Sequence, residues 1–148
     1  MVFRVVFFLG VLSALLASHS GSAQETDFTN NYQIIANGTD LTEITFQDLI
    51  KYYRGKFNSW ESKVDVIIVL PSSKHTNAEK ISEYIYSKSF YGVKKFWLSI
   101  VFQGRFSAPH FMDSDEEIVE FVSKNKGAIG LVSNKTNVSK QLLINLKE

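Results

Sequence analysis

Cysteine is absent from the 148 residues. With it go disulfides, thiolate metal sites, a cysteine nucleophile and a lipid-modified N-terminal cysteine. A charge excess is missing too: 16 Lys and Arg face 15 Asp and Glu. Arg4 is the only formal charge in the first 23 residues, so without that segment 15 basic residues face 15 acidic ones. A neutral chain lacks the positive field on which nucleic-acid and anionic-membrane binding draw, so no nucleic-acid partner is expected. Glycine-rich phosphate loops of the P-loop or dinucleotide type and a nucleophile elbow are missing as well. Internal repeats and low-complexity runs are also absent. Beyond residue 23 only His75 and His110 remain as histidines. A catalytic Ser72, His110, Asp113 set or a His110–Asp113 metal pair would stand without supporting ligands or a local signature. A non-catalytic protein without a cofactor is expected.

What is present is core material. Apolar residues make up 45% of the chain, with twelve Phe, six Tyr and two Trp. Length and composition suit one globular domain behind a targeting segment.

Residues 1–23 read as a secretory signal. Arg4 supplies the positive start, and Val5 to Ala17 form an apolar run broken only by Gly10 and Ser13. Gly21 and Ala23 occupy the −3 and −1 places of a signal-peptidase site. About thirteen apolar residues fall short of the ~20 that cross a bilayer. Cleavage after Ala23, a periplasmic or secreted location, and no direct membrane insertion after cleavage are expected. Gln24 to Asn31 is polar and aperiodic, which predicts a short flexible arm, with the domain over 32–148.

Tyr32 to Ala36 reads as a strand closed by the turn pair Asn37-Gly38. Asn37, Asn134 and Asn137 head formal glycosylation sequons that read as turns. Phe46, Leu49, Ile50, Tyr53 and Phe57 recur at helical spacing, with Thr45 as cap and Gly55 as stop. Val64 to Leu70 is β-branched and almost wholly apolar, which predicts a central strand covered on both faces. Ile67 and Val69 would face one side, Val66 and Ile68 the other, and all four would be buried. Thr76-Asn77-Ala78-Glu79 and Ser114-Asp115-Glu116-Glu117 are formal capping boxes opening two further helices. Between them, Val93, Phe96, Trp97, Ile100 and Val101 mark the inward face of a helix from about 93 to 102. Asp115, Glu116, Glu117 and Glu120 read as charges on the first turns of the helix after Ser114. Ala128 to Val132 and Leu142 to Leu146 complete the order β-α-β-α-α-α-β-β. That order predicts an α/β sheet, mixed or parallel, between helices.

Several stretches together resemble a known family. Thr45 to Trp60 (TFQDLIKYYRGKFNSW) is similar to the helix, Gly-Lys, then Trp segment of periplasmic phosphate-binding proteins, the substrate-binding component of phosphate ABC transporters. Phe96-Trp97, Phe102-Gln103-Gly104-Arg105 and Pro109 resemble later Trp, Phe-x-Gly and Pro positions of that family. Gly127-Ala128-Ile129-Gly130-Leu131-Val132 resembles its Gly-Ala-Ile-Gly-Tyr-Val. The likeness spans roughly 32–133. It implies a type II periplasmic-binding-protein-like fold, a mixed and mainly parallel sheet with helices on both faces. The family closes two lobes on its anion; this chain has length for about one.

The resemblance places the ligand loop at Ser72, Ser73, Lys74, His75 and Thr76. Leu70 stands where the family carries Arg, Lys74-His75 stand where it carries Ser-Gly, and only Thr76 keeps its type. Helix-start N–H groups, three hydroxyls and Lys74 could still hold phosphate or another small oxyanion weakly. An ordinary polar loop closed by a capping box explains the same residues. Two functions follow: a solute-binding protein of transport, or a ligand-free lobe docking on a membrane sensor or transporter subunit.

Overall fold

Residues 19–147 are described by a computed structural model. Their order is α1 (His19–Asn31), β1 (Tyr32–Ala36), β2 (Glu43–Thr45), α2 (Phe46–Tyr53), β3 (Ile67–Pro71), α3 (Ala78–Tyr86), α4 (Phe90–Phe102), β4 (His110–Met112), α5 (Asp115–Lys124), β5 (Ala128–Ser133), a 3-10 turn (Lys140–Leu142) and β6 (Leu143–Lys147). The six strands form one mixed sheet in the order β2-β6-β1-β5-β3-β4. β3 runs parallel to β4 and β5, and β2 runs parallel to β6. β1 is antiparallel to both its neighbours.

Side-chain alternation along β3 decides the two layers. Val66, Ile68 and Leu70 enter the larger core, with Tyr53, Trp60, Ile81, Ile85 and Trp97. Val69 points the other way, to Ile118 and Val122 of α5, with Ile35 and Val132. Helices therefore cover both faces, α2, α3 and α4 on one and α5 on the other. The strand expected at 64–70 is shorter and lies between β5 and the edge strand β4. Val66, Ile68 and Val69 are buried as expected, whereas Ile67 is half-buried because only α5 and the sheet margin cover it.

The leader expected at 1–23 lies outside the described residues through position 18. Positions 19–23 form the start of α1. Residues 24–31, expected as a flexible arm, continue that helix. One side chain accounts for the difference: Phe28 is fully buried, packed on the rings of Tyr32, Phe46 and Tyr84 at 5.2–5.7 Å between centroids. A single apolar residue in a polar stretch has no periodicity to read, so tertiary packing decided this helix.

Local signals hold elsewhere. Thr45 Oγ1 accepts the N–H of Asp48 and caps α2, and Gly55 follows it at φ +66°. α4 starts three residues earlier than expected, capped by Ser89. Its Val101 faces solvent rather than the core. Trp60 Nε1 donates to the Gly127 carbonyl at 2.9 Å and Trp97 Nε1 to the Tyr86 hydroxyl at 2.8 Å. Both indoles are buried with their N–H satisfied, the condition for a Trp in a core.

Candidate functional site

Parallel pairing of β3 with β4 builds the site. Val69, Leu70 and Pro71 lie beside His110, Phe111 and Met112. The Ser72 N–H extends the ladder by donating to Met112 O at 2.7 Å. The two carboxyl ends therefore deliver Ser72 and Asp113 side by side, at the sheet edge where α/β proteins place ligands. β4 was not foreseen, because His110-Phe111-Met112 is too short to show a period.

Asp113 collects the loop's polar groups. Its Oδ1 accepts the Ser72 hydroxyl at 2.5 Å, and its Oδ2 lies 3.3 Å from Lys74 Nζ. Those two contacts, Ser72 first and Lys74 second, hold its carboxyl below the ordinary value of 3.8. Ser72 Oγ in turn accepts the Lys74 N–H at 3.1 Å, so the loop folds around its own hydroxyl. On the other side, Glu117 Oε2 accepts the Asp113 N–H at 2.8 Å.

The two capping boxes fare differently. Ser114 caps α5 by accepting the Glu117 N–H, while Glu117 reaches back to Asp113 rather than to Ser114. The box at Thr76 does not form, and α3 begins at Ala78 behind Asn77. Two tight turns, His75 N to Ser72 O and Ala78 N to His75 O, move the start past Thr76. Glu79 bonds the Phe90 N–H instead, and Asn77 Oδ1 accepts the Tyr32 hydroxyl.

His75 is turned inward. Its Nδ1 accepts the Asn77 N–H at 3.1 Å, which assigns the proton to Nε2, 2.9 Å from Asp115 Oδ1. Asp115 Oδ2 also accepts the Ser133 N–H at 2.9 Å and the Thr136 hydroxyl at 2.7 Å. Burial raises the Asp115 carboxyl, and the three donors with His75 foremost outweigh it, leaving the net value lowered. The sequence reading of Asp115 as a first-turn charge therefore misses its role as a buried acceptor. Asp115 lies 40 positions from His75 and 18 from Ser133, beyond any sequence window.

Of the five loop residues, Ser72 and Lys74 converge on Asp113, His75 enters the interior, and Ser73 and Thr76 are exposed. His110 does not join Ser72 and Asp113; its ring packs on Phe121 at 4.5 Å. Among the described residues no cluster of three or more His, Asp or Glu side chains could hold a metal. Surface cavities of about 840, 570 and 330 Å³ are lined by other residues, such as Tyr84 and Lys88, Tyr52 and Trp60, or Arg105 and Phe106.

No protein-family model matches the chain, and no curated protein matches it. Solved structures do. A Clostridium perfringens protein described as a phosphate ABC transporter substrate-binding protein, with phosphate bound, superposes with a TM-score of 0.59 at 15% identity. The match covers 78% of this chain and 44% of that one. PstS from Borrelia burgdorferi gives 0.59 at 16% identity over 78% and 47%. An ABC-type phosphate transport receptor from Vibrio cholerae gives 0.52 at 15% identity over 78% and 46%. The chain shares its fold with one part of each of these proteins. It spans just under half the length of these structures, and at such identities the likeness is one of fold. In that fold the loop after β3 lies at the carboxyl edge of the sheet, with Asp113 beside it. Among the described residues no helix is long and apolar enough to cross a membrane.

Proposed function

We propose that the protein is an exported, solute-binding-like lobe in which residues 72–76 take phosphate or a related oxyanion weakly, in competition with Asp113. One observation carries this reading: the loop after β3 brings the Ser72 hydroxyl and the Lys74 ammonium, the groups an anion would use, to one point, where the Asp113 carboxylate engages both. An incoming anion must displace that carboxylate or accept its repulsion. Lys74 is 79% exposed and Asp113 46%, so water screens what remains. Exposed charge contacts contribute roughly 1 kcal/mol or less each, which leaves affinity at about the millimolar level.

Export rests on residues 1–23, read as a leader cut after Ala23. The likeness to transport receptors supports solute binding, with a transporter subunit as the partner class. A ligand-free docking lobe is the second reading, favoured by the same internal carboxylate, which satisfies the loop without any ligand. Calorimetric titration with phosphate at low ionic strength tests the first reading. Weak, salt-sensitive binding that Lys74→Ala removes is the expected result. Submicromolar binding indifferent to Lys74→Ala would place the site elsewhere.

A further inference from the structure

Six large apolar side chains are exposed among the described residues, and four of them, Tyr91, Leu98, Val101 and Phe102, lie on α4. At ~100° per residue, Tyr91, Leu98 and Phe102 fall within about 40° of one another around the helix, on the side opposite Val93, Trp97 and Ile100. The helix thus buries one apolar stripe in the core and presents a second to solvent. Phe102 is 82% exposed and Tyr91 66%. Lys95 shares the outer stripe, its Nζ 4.9 Å from the Tyr91 ring centroid, and Lys94 flanks it.

Charge is segregated around this stripe. No acidic residue occurs between Glu83 and Asp113, whereas Lys88, Lys94, Lys95 and Arg105 do. Glu79 and Glu83 of α3 lie beside Lys88 at the amino end of α4, with Glu79 tied to the Phe90 N–H, and Asp65 lines a cavity with Arg105 beyond its carboxyl end. On the opposite face of the sheet, α5 carries Glu116 and Glu117, with Glu120 paired to Lys124 and Asp115 turned to His75. The near-zero total charge therefore conceals a locally basic, apolar helix face.

We propose that the outer face of α4 docks on an anionic lipid surface, lying on it without spanning it. Projecting Phe, Leu and Tyr tips suit the boundary between headgroups and acyl chains, and the flanking ammonium groups suit lipid phosphates. The run of cations without an acidic residue between Glu83 and Asp113 turns α4 toward such a surface. Lys94 and Lys95 beside the exposed Tyr91, Leu98 and Phe102 favour an anionic bilayer over an apolar protein groove. This inference is independent of the oxyanion reading of the 72–76 loop.

The missing cysteine makes the test specific. Leu98→Cys and Glu116→Cys each provide one thiol for an environment-sensitive fluorophore, on opposite faces of the molecule. Vesicles of phosphatidylglycerol with phosphatidylcholine should shift the Leu98→Cys label to the blue, and pure phosphatidylcholine should not. The Glu116→Cys label should stay unchanged. Adding Lys94→Glu and Lys95→Glu to Leu98→Cys should lower the partition coefficient at least ~10-fold. No response to anionic vesicles overturns the proposal, even if an acidic protein binds the face. Equal shifts at both positions overturn it, because another segment such as residues 5–17 is then the anchor. A Leu98→Cys shift that grows with protein concentration without vesicles also overturns it, in favour of a second copy of the chain.

Discussion

His75 Nε2 lies 2.9 Å from Asp115 Oδ1, with the His75 side chain 3% exposed and that of Asp115 13% exposed. This pair joins the loop after β3 to the start of α5, and Ser133 and Thr136 join it to the end of β5. Removing the shared acceptor strands a buried imidazole N–H and a backbone N–H together. Asp115→Ala should therefore cost about 2–4 kcal/mol in urea unfolding. A loss below about 0.5 kcal/mol, the range of ordinary surface changes, would show the cluster to be incidental.

The same carboxylate makes a pH prediction. Its folded value lies below its unfolded one, so its contribution is present above about the ordinary 3.8 and is lost as pH falls through the lowered folded value. Between pH 5 and pH 3 the urea midpoint of the wild-type chain should fall more than that of Asp115→Asn. Equal falls would assign the acid sensitivity to other carboxylates.

Gly127 holds three elements at one point. It adopts φ +89°, its N–H donates to Asn37 O at 2.7 Å, and its carbonyl accepts from Ile67 N and Trp60 Nε1. A Cβ there would fall on the Asp65 carbonyl oxygen, which is backbone and cannot swing away. Gly104, at φ +66°, has open space around the same position. Gly127→Ala should cost about 2–4 kcal/mol and Gly104→Ala about 1 kcal/mol, the conformational penalty alone. Similar losses at both positions would remove the steric part of this argument.

Phe28 decides whether residues 24–31 belong to the domain. Phe28→Ala should destabilise the protein by about 3–5 kcal/mol, the usual cost of emptying an aromatic site. A neutral result would restore the flexible arm. Cleavage after Ala23 keeps Phe28, so N-terminal sequencing of the exported product should begin at Gln24. A product beginning beyond Phe28 would contradict both the cleavage site and the role of this ring.

Much of the architecture was legible because local chemistry and the fold agree. Thr45 caps α2, Ser114 caps α5, and the alternation at Val66, Ile68 and Val69 sorts them onto opposite sheet faces. Ala128 to Val132 forms a strand as its apolar run predicts. What escaped was non-local. Asp113 meets Ser72 only because the three-residue β4 pairs with β3, and no window along the chain contains both. Thr76 to Glu79 has the spelling of a capping box, yet the turns at His75 and the demand of Phe90 for Glu79 take its parts elsewhere. The loop itself was found by resemblance; its internal carboxylate was found by geometry.

Asp113 is the hinge of the functional account, and Asp113→Asn examines it at near-constant shape. Phosphate should be titrated into both proteins at low ionic strength, with backbone amide shifts read by NMR. In the wild-type chain small, salt-sensitive shifts confined to residues 72–77 should fit a dissociation constant of about a millimolar. Asp113→Asn should tighten it by up to about fivefold, since one exposed charge contact is removed from the competition. Lys74→Ala should abolish the shifts in either background. Submicromolar binding to the wild-type chain, or weaker binding by Asp113→Asn, would contradict the claim that this carboxylate occupies the anion's place.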